Sequence, residues 1–212
     1  MQLQDTVRFE GPSSNTETIN KFRSLAGPSK GTEAATVRGS EVDQPEDLRV
    51  RYRLIREFSG KLCETLEPED CVVQTMPEAS PVKWHLAHTS WFFETFVLKE
   101  ALPNHNPIHA QYAYLFNSYY NAAGKMHCRP KRGLISRPTL RETLEYRRRV
   151  DDIMEAVFEK PAVLEKFASV IRLGLHHEQQ HQELILTISS TCFPKIRSGR
   201  FFVNVAHQNP LR

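Results

Sequence analysis

Apolar positions recur at helical spacing through much of residues 43–188, and no convincing strand alternation interrupts them. The first run is Leu48, Tyr52, Ile55, Phe58, Leu62 and Leu66, in "DQPEDLRVRYRLIREFSGKLCETL". Asp43 and Glu46 stand at capping-box spacing ahead of it, and Pro45 suits a first helical turn. "EPEDCVVQTMPEAS", broken by Pro68 and Pro77, reads as a connection. Ser80 followed by Pro81 predicts the start of a second helix, through "VKWHLAHTSWFFETFVLKEAL". Residues 103–137 form a long connection with three prolines and two glycines. Five tyrosine and phenylalanine residues in nine positions argue there against disorder. A third helix opens at Thr139, with Glu142 completing a capping box, and runs to Pro161. The fourth spans about Val163 to Ile188. Four such stripes are buried together in an all-α four-helix bundle with one long crossover loop between helices 2 and 3.

The flanks read differently. Residues 1–42 are polar and lack sustained periodicity, which predicts a disordered tail with a short helical stretch at "TETINKFRSLAG". Residues 189–212 are expected to be irregular, and "RFFVNV" within them is a β-prone apolar segment. The composition, 40% hydrophobic and 25% charged, is that of a globular domain. A net charge of +3 gives no argument for nucleic acid or an anionic membrane as partner. No apolar run approaches a membrane span, and the N-terminus shows no secretory leader. The four cysteines are scattered without a C-x-x-C pair, which favours a reducing, cytoplasmic setting and argues against a thiolate zinc site.

The candidate chemistry lies in "LGLHHEQQHQE", residues 173–183. Phe167, Val170, Gly174, His177, His181, Leu184 and Ile188 read as one helical stripe, which places His177 and His181 one turn apart on the buried side. Two polar rings stacked inside a bundle are costly unless something binds their nitrogens, so a metal ion is the preferred reading over satisfied core histidines. Residues 177–181 also match H-E-x-x-H, the zinc-protease pattern. That pattern needs a third ligand downstream. Position 184 is Leu, position 187 is Thr, no Asp or Glu follows Glu183, and the one remaining downstream histidine, His207, stands in a segment that reads as irregular. The third ligand is therefore expected upstream, at His85 or His88 in "PVKWHLAHTSWFFE", between which spacing does not choose. Three imidazoles leave positions open for chemistry, and they do not select among iron, zinc, copper and nickel.

"SPVKWHLAHTSWFFETF", "LFNSYYNAAGKMHCRPKRGLISRPT" and "LGLHHEQQHQELIL", in this order, closely resemble the N-terminal DinB-like domain of ergothioneine sulfoxide synthases over about residues 46–187. The resemblance implies a bundle holding non-haem Fe(II) through three histidines. With O2, such an enzyme joins the sulfur of γ-glutamylcysteine or cysteine to the imidazole of N-α-trimethylhistidine (hercynine) and oxidises that sulfur to the sulfoxide. Matched residue by residue, it selects His88, His177 and His181 as ligands. It assigns Gln180 to the hercynine imidazole, and Arg129 and Arg132 to the carboxylates of the thiol; by themselves these arginines read as a solvated basic loop. Glu183 closes the motif, with an expected role in orienting a ligand. The family's second domain, which resembles formylglycine-generating enzymes, is expected to be absent. The chain then reads as a truncated enzyme with weak or no synthase activity alone, or as half of a split enzyme with a separately encoded partner. The alternatives are a stand-alone DinB-like metal-dependent thiol transferase and an inactive fragment.

Overall fold

The computed structural model describes residues 45–118 and 124–192. Every regular element among them is helical. Helix α1 spans Pro45–Lys61. Helix α2 spans Val82–Phe93 and runs on through a π-helical turn, Glu94–Leu98, into Lys99–Ala101. A short helix, α3, Tyr112–Phe116, lies in the crossover, followed by a 3-10 turn at Arg129–Leu134. Helix α4 spans Leu140–Phe158 and α5 Pro161–Cys192. Helix α2 packs against α4 and α5, and α5 also packs against α1 and α4.

The starts and stops have local causes. Thr139 and Glu142 form the expected capping box: the Thr139 hydroxyl accepts from Glu142 N, and the Glu142 carboxylate accepts from Thr139 N at 2.7 Å. Ser80 does not cap α2 as its position suggested. Pro81 occupies the cap, and the Ser80 hydroxyl instead accepts from Arg132 Nη1 at 2.9 Å. The first helix ends at Lys61, earlier than its apolar spacing implied, because residues 62–66 turn. The last helix continues four residues past Ile188. Asp43, the expected N-terminal tail, Tyr119, Tyr120 and residues 193–212 lie outside the described residues.

Two apolar clusters fill the interior. The larger joins Tyr52, Trp91, Phe93, Met154, Phe167 and Leu175, among others. The smaller joins Leu62, Cys71, Val82, Leu86, Ile185 and Ile188. Along α1 the chain passes from Ile55 in the larger cluster to Leu62 in the smaller, whereas on α2 the two interleave, with Trp84 and Ala87 in the larger and Val82 and Leu86 in the smaller. Along α5 it passes from Leu175 in the larger to Ile185 in the smaller. The buried polar residues Arg56, Ser59, Glu178, His181 and Gln182 fall between these points, and His88 and Ser90 meet them from α2. The helices thus share one polar layer between two greasy ones, and buried polar groups persist there only with partners.

Candidate metal centre

The periodicity of α5 is shifted from the predicted stripe. Its buried line is Leu164, Phe167, Ile171, Gly174, Leu175, Glu178, His181, Gln182, Ile185 and Ile188, while Leu184 is exposed and Val170 only half-buried. Glu178 stands at the centre of that face, and His177 lies at its edge. Both histidines nonetheless reach the same point as His88 from α2. The Nε2 of His177 lies 3.1 Å from the Nε2 of His88 and 3.1 Å from that of His181. One ligand atom from each ring falls within 4.8 Å of the others.

Three ring nitrogens facing one another cannot all be satisfied when the rings are neutral, since one pair can share a proton and the third is left over, and these rings are held neutral. Burial pushes every one of them down in pKa: His177 to about 4, His88 well below its usual value, and His181 in the same direction with the neighbouring imidazoles adding to the effect. Neutral imidazole is the form that binds a divalent cation. The donor set therefore fits a divalent metal ion held on one side by three nitrogens, with further positions open.

The surroundings orient the rings and keep water away. The Nδ1 of His88 donates to the Phe116 carbonyl at 2.6 Å. Trp84 and Trp91 stack near-parallel on His88, with ring centroids 4.5 Å and 5.5 Å away. Phe92 lies 5.0 Å from the His177 ring. Trp84 Nε1 donates to the Leu115 carbonyl at 3.0 Å, so the crossover is fastened to α2 by the same turn that carries the ligand.

The other residues singled out by the sequence are placed as follows. Gln180 and Glu183 are exposed on α5. The contacts that orient the ligand rings come instead from Phe116 and from His85, whose Nδ1 is 2.6 Å from the Nδ1 of His181. Arg129 is half-buried at the head of the 3-10 turn. Arg132 is 2% exposed. Its guanidinium lies 3.5 Å over the Trp84 ring and donates to Ser80 Oγ and to the Asn117 carbonyl. Arg132 thus lies on the metal-centre side, since Trp84 also stacks on His88.

Sequence reasoning missed the other half of the polar layer. Glu178 is 1% exposed. Its Oε1 accepts from Ser59 Oγ at 2.6 Å and from Arg147 Nη2, and its Oε2 accepts from Arg56 Nη1 at 3.0 Å. Arg56 also donates to Asp151 at 2.7 Å and to Ser90 Oγ at 3.0 Å, and Gln182 Nε2 donates to Ser59 Oγ at 2.9 Å. A carboxylate clamped between two guanidiniums is not available as the general base of a zinc protease, which agrees with rejecting that reading. The only signal in the sequence was a charged residue set between two inward-facing histidines.

No curated protein matches the chain. The family model of the DinB superfamily matches residues 52–185, more than half of the chain, from within α1 to just beyond His181. The helical elements and the three-histidine site agree with that metal-dependent family, and the chain belongs to the DinB superfamily.

Proposed function

We propose that this domain is the iron-binding part of an ergothioneine sulfoxide synthase, acting on hercynine and on γ-glutamylcysteine or cysteine. The observation that carries a metal-dependent reaction is the convergence of three neutral imidazoles, from His88, His177 and His181, on one point. The finer assignment rests on three motifs that resemble that family in the same order along the chain. Non-haem Fe(II) held there would supply redox chemistry with O2. In the overall reaction the thiol and the imidazole C–H each lose a hydrogen, a C–S bond forms, one oxygen atom ends on sulfur and the other leaves as water.

The chain's own residues hold and exclude. Trp84, Trp91 and Phe92 keep a dry wall against His88 and His177. The charges of Arg129 and Arg132 suit a carboxylate-bearing thiol, with the half-buried Arg129 as the more accessible fork and Arg132 also securing the turn. Gln180 is assigned to the hercynine imidazole and Glu183 to support of the ligand helix. A second reading is a thiol transferase using Zn(II) without O2, which the same three-histidine donor set would equally serve.

The test loads the purified chain with Fe(II) and supplies hercynine, γ-glutamylcysteine and 18O2. The expected product, even if formed slowly, is the joined molecule carrying one labelled oxygen. A chain that takes up no Fe(II) overturns the reading. Thiol transfer to a small electrophile with Zn(II) under anaerobic conditions, with no labelled product, replaces it by the second.

A further inference from the structure

Two histidines lie one turn apart on α2, and only His88 joins the cluster of ligand atoms. His85 is 3% exposed and sits behind His181, Nδ1 to Nδ1 at 2.6 Å. At that distance two neutral rings share one proton, so one nitrogen donates and the other accepts. The far end of the His181 ring decides which. The Nε2 of His181 faces that of His177 at 3.1 Å, where a proton would occupy the position a cation needs. On the His85 ring, Nδ1 is engaged with His181, and Nε2 is buried and makes no well-formed hydrogen bond. If Nδ1 accepts, the neutral His85 ring carries its own proton on Nε2. The geometry at the metal-facing end gives the answer: His181 donates and His85 accepts.

The contact at His88 follows the same pattern without ambiguity. A carbonyl can only accept, so the Phe116 contact places the His88 proton on Nδ1 and leaves the Nε2 lone pair facing the cluster. Resting on the metal-centre reading, we propose that His85 is a positioning residue for that centre. It accepts the Nδ1–H of His181 and holds His181 in the tautomer whose Nε2 lone pair faces the metal. His85 thus does for His181 what the Phe116 carbonyl does for His88, and it does so without bringing a negative charge to the site.

The test uses the full chain with 15N-labelled histidine. Two-bond 1H–15N correlations on the metal-free protein should show the proton on Nδ1 in His181 and on Nε2 in His85. Calorimetric titration with Co(II) should then show binding weakened about 10- to 100-fold in His85→Leu, which fills space but cannot accept. His85→Asn, whose side-chain oxygen stands near the position of Nδ1, should recover most of the affinity. A His181 protonated on Nε2 in the wild type overturns the proposal, as does unchanged Co(II) affinity in a folded leucine variant. If the leucine variant does not fold, the wild-type tautomers decide. A wild-type chain that takes up no Co(II) overturns the metal centre itself and this proposal with it; wild-type binding with an unaffected leucine variant overturns this proposal alone.

Discussion

Glu178 is flanked in sequence by one metal-facing histidine and followed three residues later by another, yet its carboxylate serves a different purpose. Burial is the largest influence on it and alone would raise its pKa. The charges of Arg147 and Arg56, with hydrogen bonds from Ser59 and Arg147, outweigh that and hold it at about 2. Neutralising it leaves two buried guanidiniums with less than their due of negative charge. Glu178→Gln should therefore destabilise the fold by about 3–5 kcal/mol, read as a lower urea midpoint at unchanged slope. A loss below about 1 kcal/mol would show that the clamp contributes little. Residue-level chemistry was unevenly legible in the sequence. His177 and His181 declared themselves, because an i, i+4 pair of imidazoles on an apolar helix has few other uses. Glu178 did not, because its partners lie on other helices at residues 56 and 147, and a single charge on a helix reads as solvent-facing. Choosing His88 over His85 needed the family resemblance, since both are buried on one helix and differ only in which neighbour each ring meets.

Between elements, the distance from α2 to α5 decides whether His88 can meet His177 and His181. Gly174 sets it. A Cβ there would stand 2.6 Å from Phe93 Cε1 and 2.8 Å from Phe92 Cε1, closer than packed atoms tolerate. Phe92 also touches the His177 ring, so a displaced phenylalanine carries the ligand with it. Gly174→Ala should cost about 1–3 kcal/mol of stability and weaken divalent-metal binding as the helices part. Gly60→Ala is the control. Nothing lies within 4 Å of a Cβ at that helical position. The change there should be neutral or stabilise by about 0.4–1 kcal/mol, with metal affinity untouched. Equal effects of the two substitutions on metal affinity would remove Gly174 from this role. Helix existence and the Thr139 box were readable because both depend on residues within a few positions of one another. The face of α5 was misjudged by about one residue, because a stripe drawn through Val170 and Leu184 ignored that Glu178 and Gln182 are buried by partners from α1 and α4. The missed capping by Ser80 has the same origin, a competing donor 52 residues away.

For the molecule as a whole, the polar layer makes stability a function of pH and of metal together. His85 is held at about 3 and His177 at about 4, and His88 and His181 are lowered too, all through burial first. In the unfolded chain these rings titrate near about 6.5. Above that value both states are neutral, and the contribution to stability is fully present. As pH falls below it, the unfolded chain takes up protons that the folded chain refuses, so stability is lost progressively down to the folded values. Glu178 adds a second loss of the same sign, between the usual glutamate range and about 2. Metal shifts the whole curve upward, because it binds only the assembled layer: at a free concentration of about 100 times Kd the gain is about 2.7 kcal/mol. The shape of that gain is the discriminating quantity. An exposed histidine site loses its metal as pH falls through about 6.5, since the free ligands protonate there. Here the folded ligands stay neutral further down, so the difference in unfolding free energy between Zn(II)-saturated and EDTA-treated protein should persist below pH 6 at fixed excess of metal. It should fade only as pH approaches about 4, where His177 takes up its proton. Denaturation series at stepped pH, with and without metal, measure this directly. A metal increment already gone at pH 6 would mean that the three imidazoles are open to solvent and are not gathered in a buried layer.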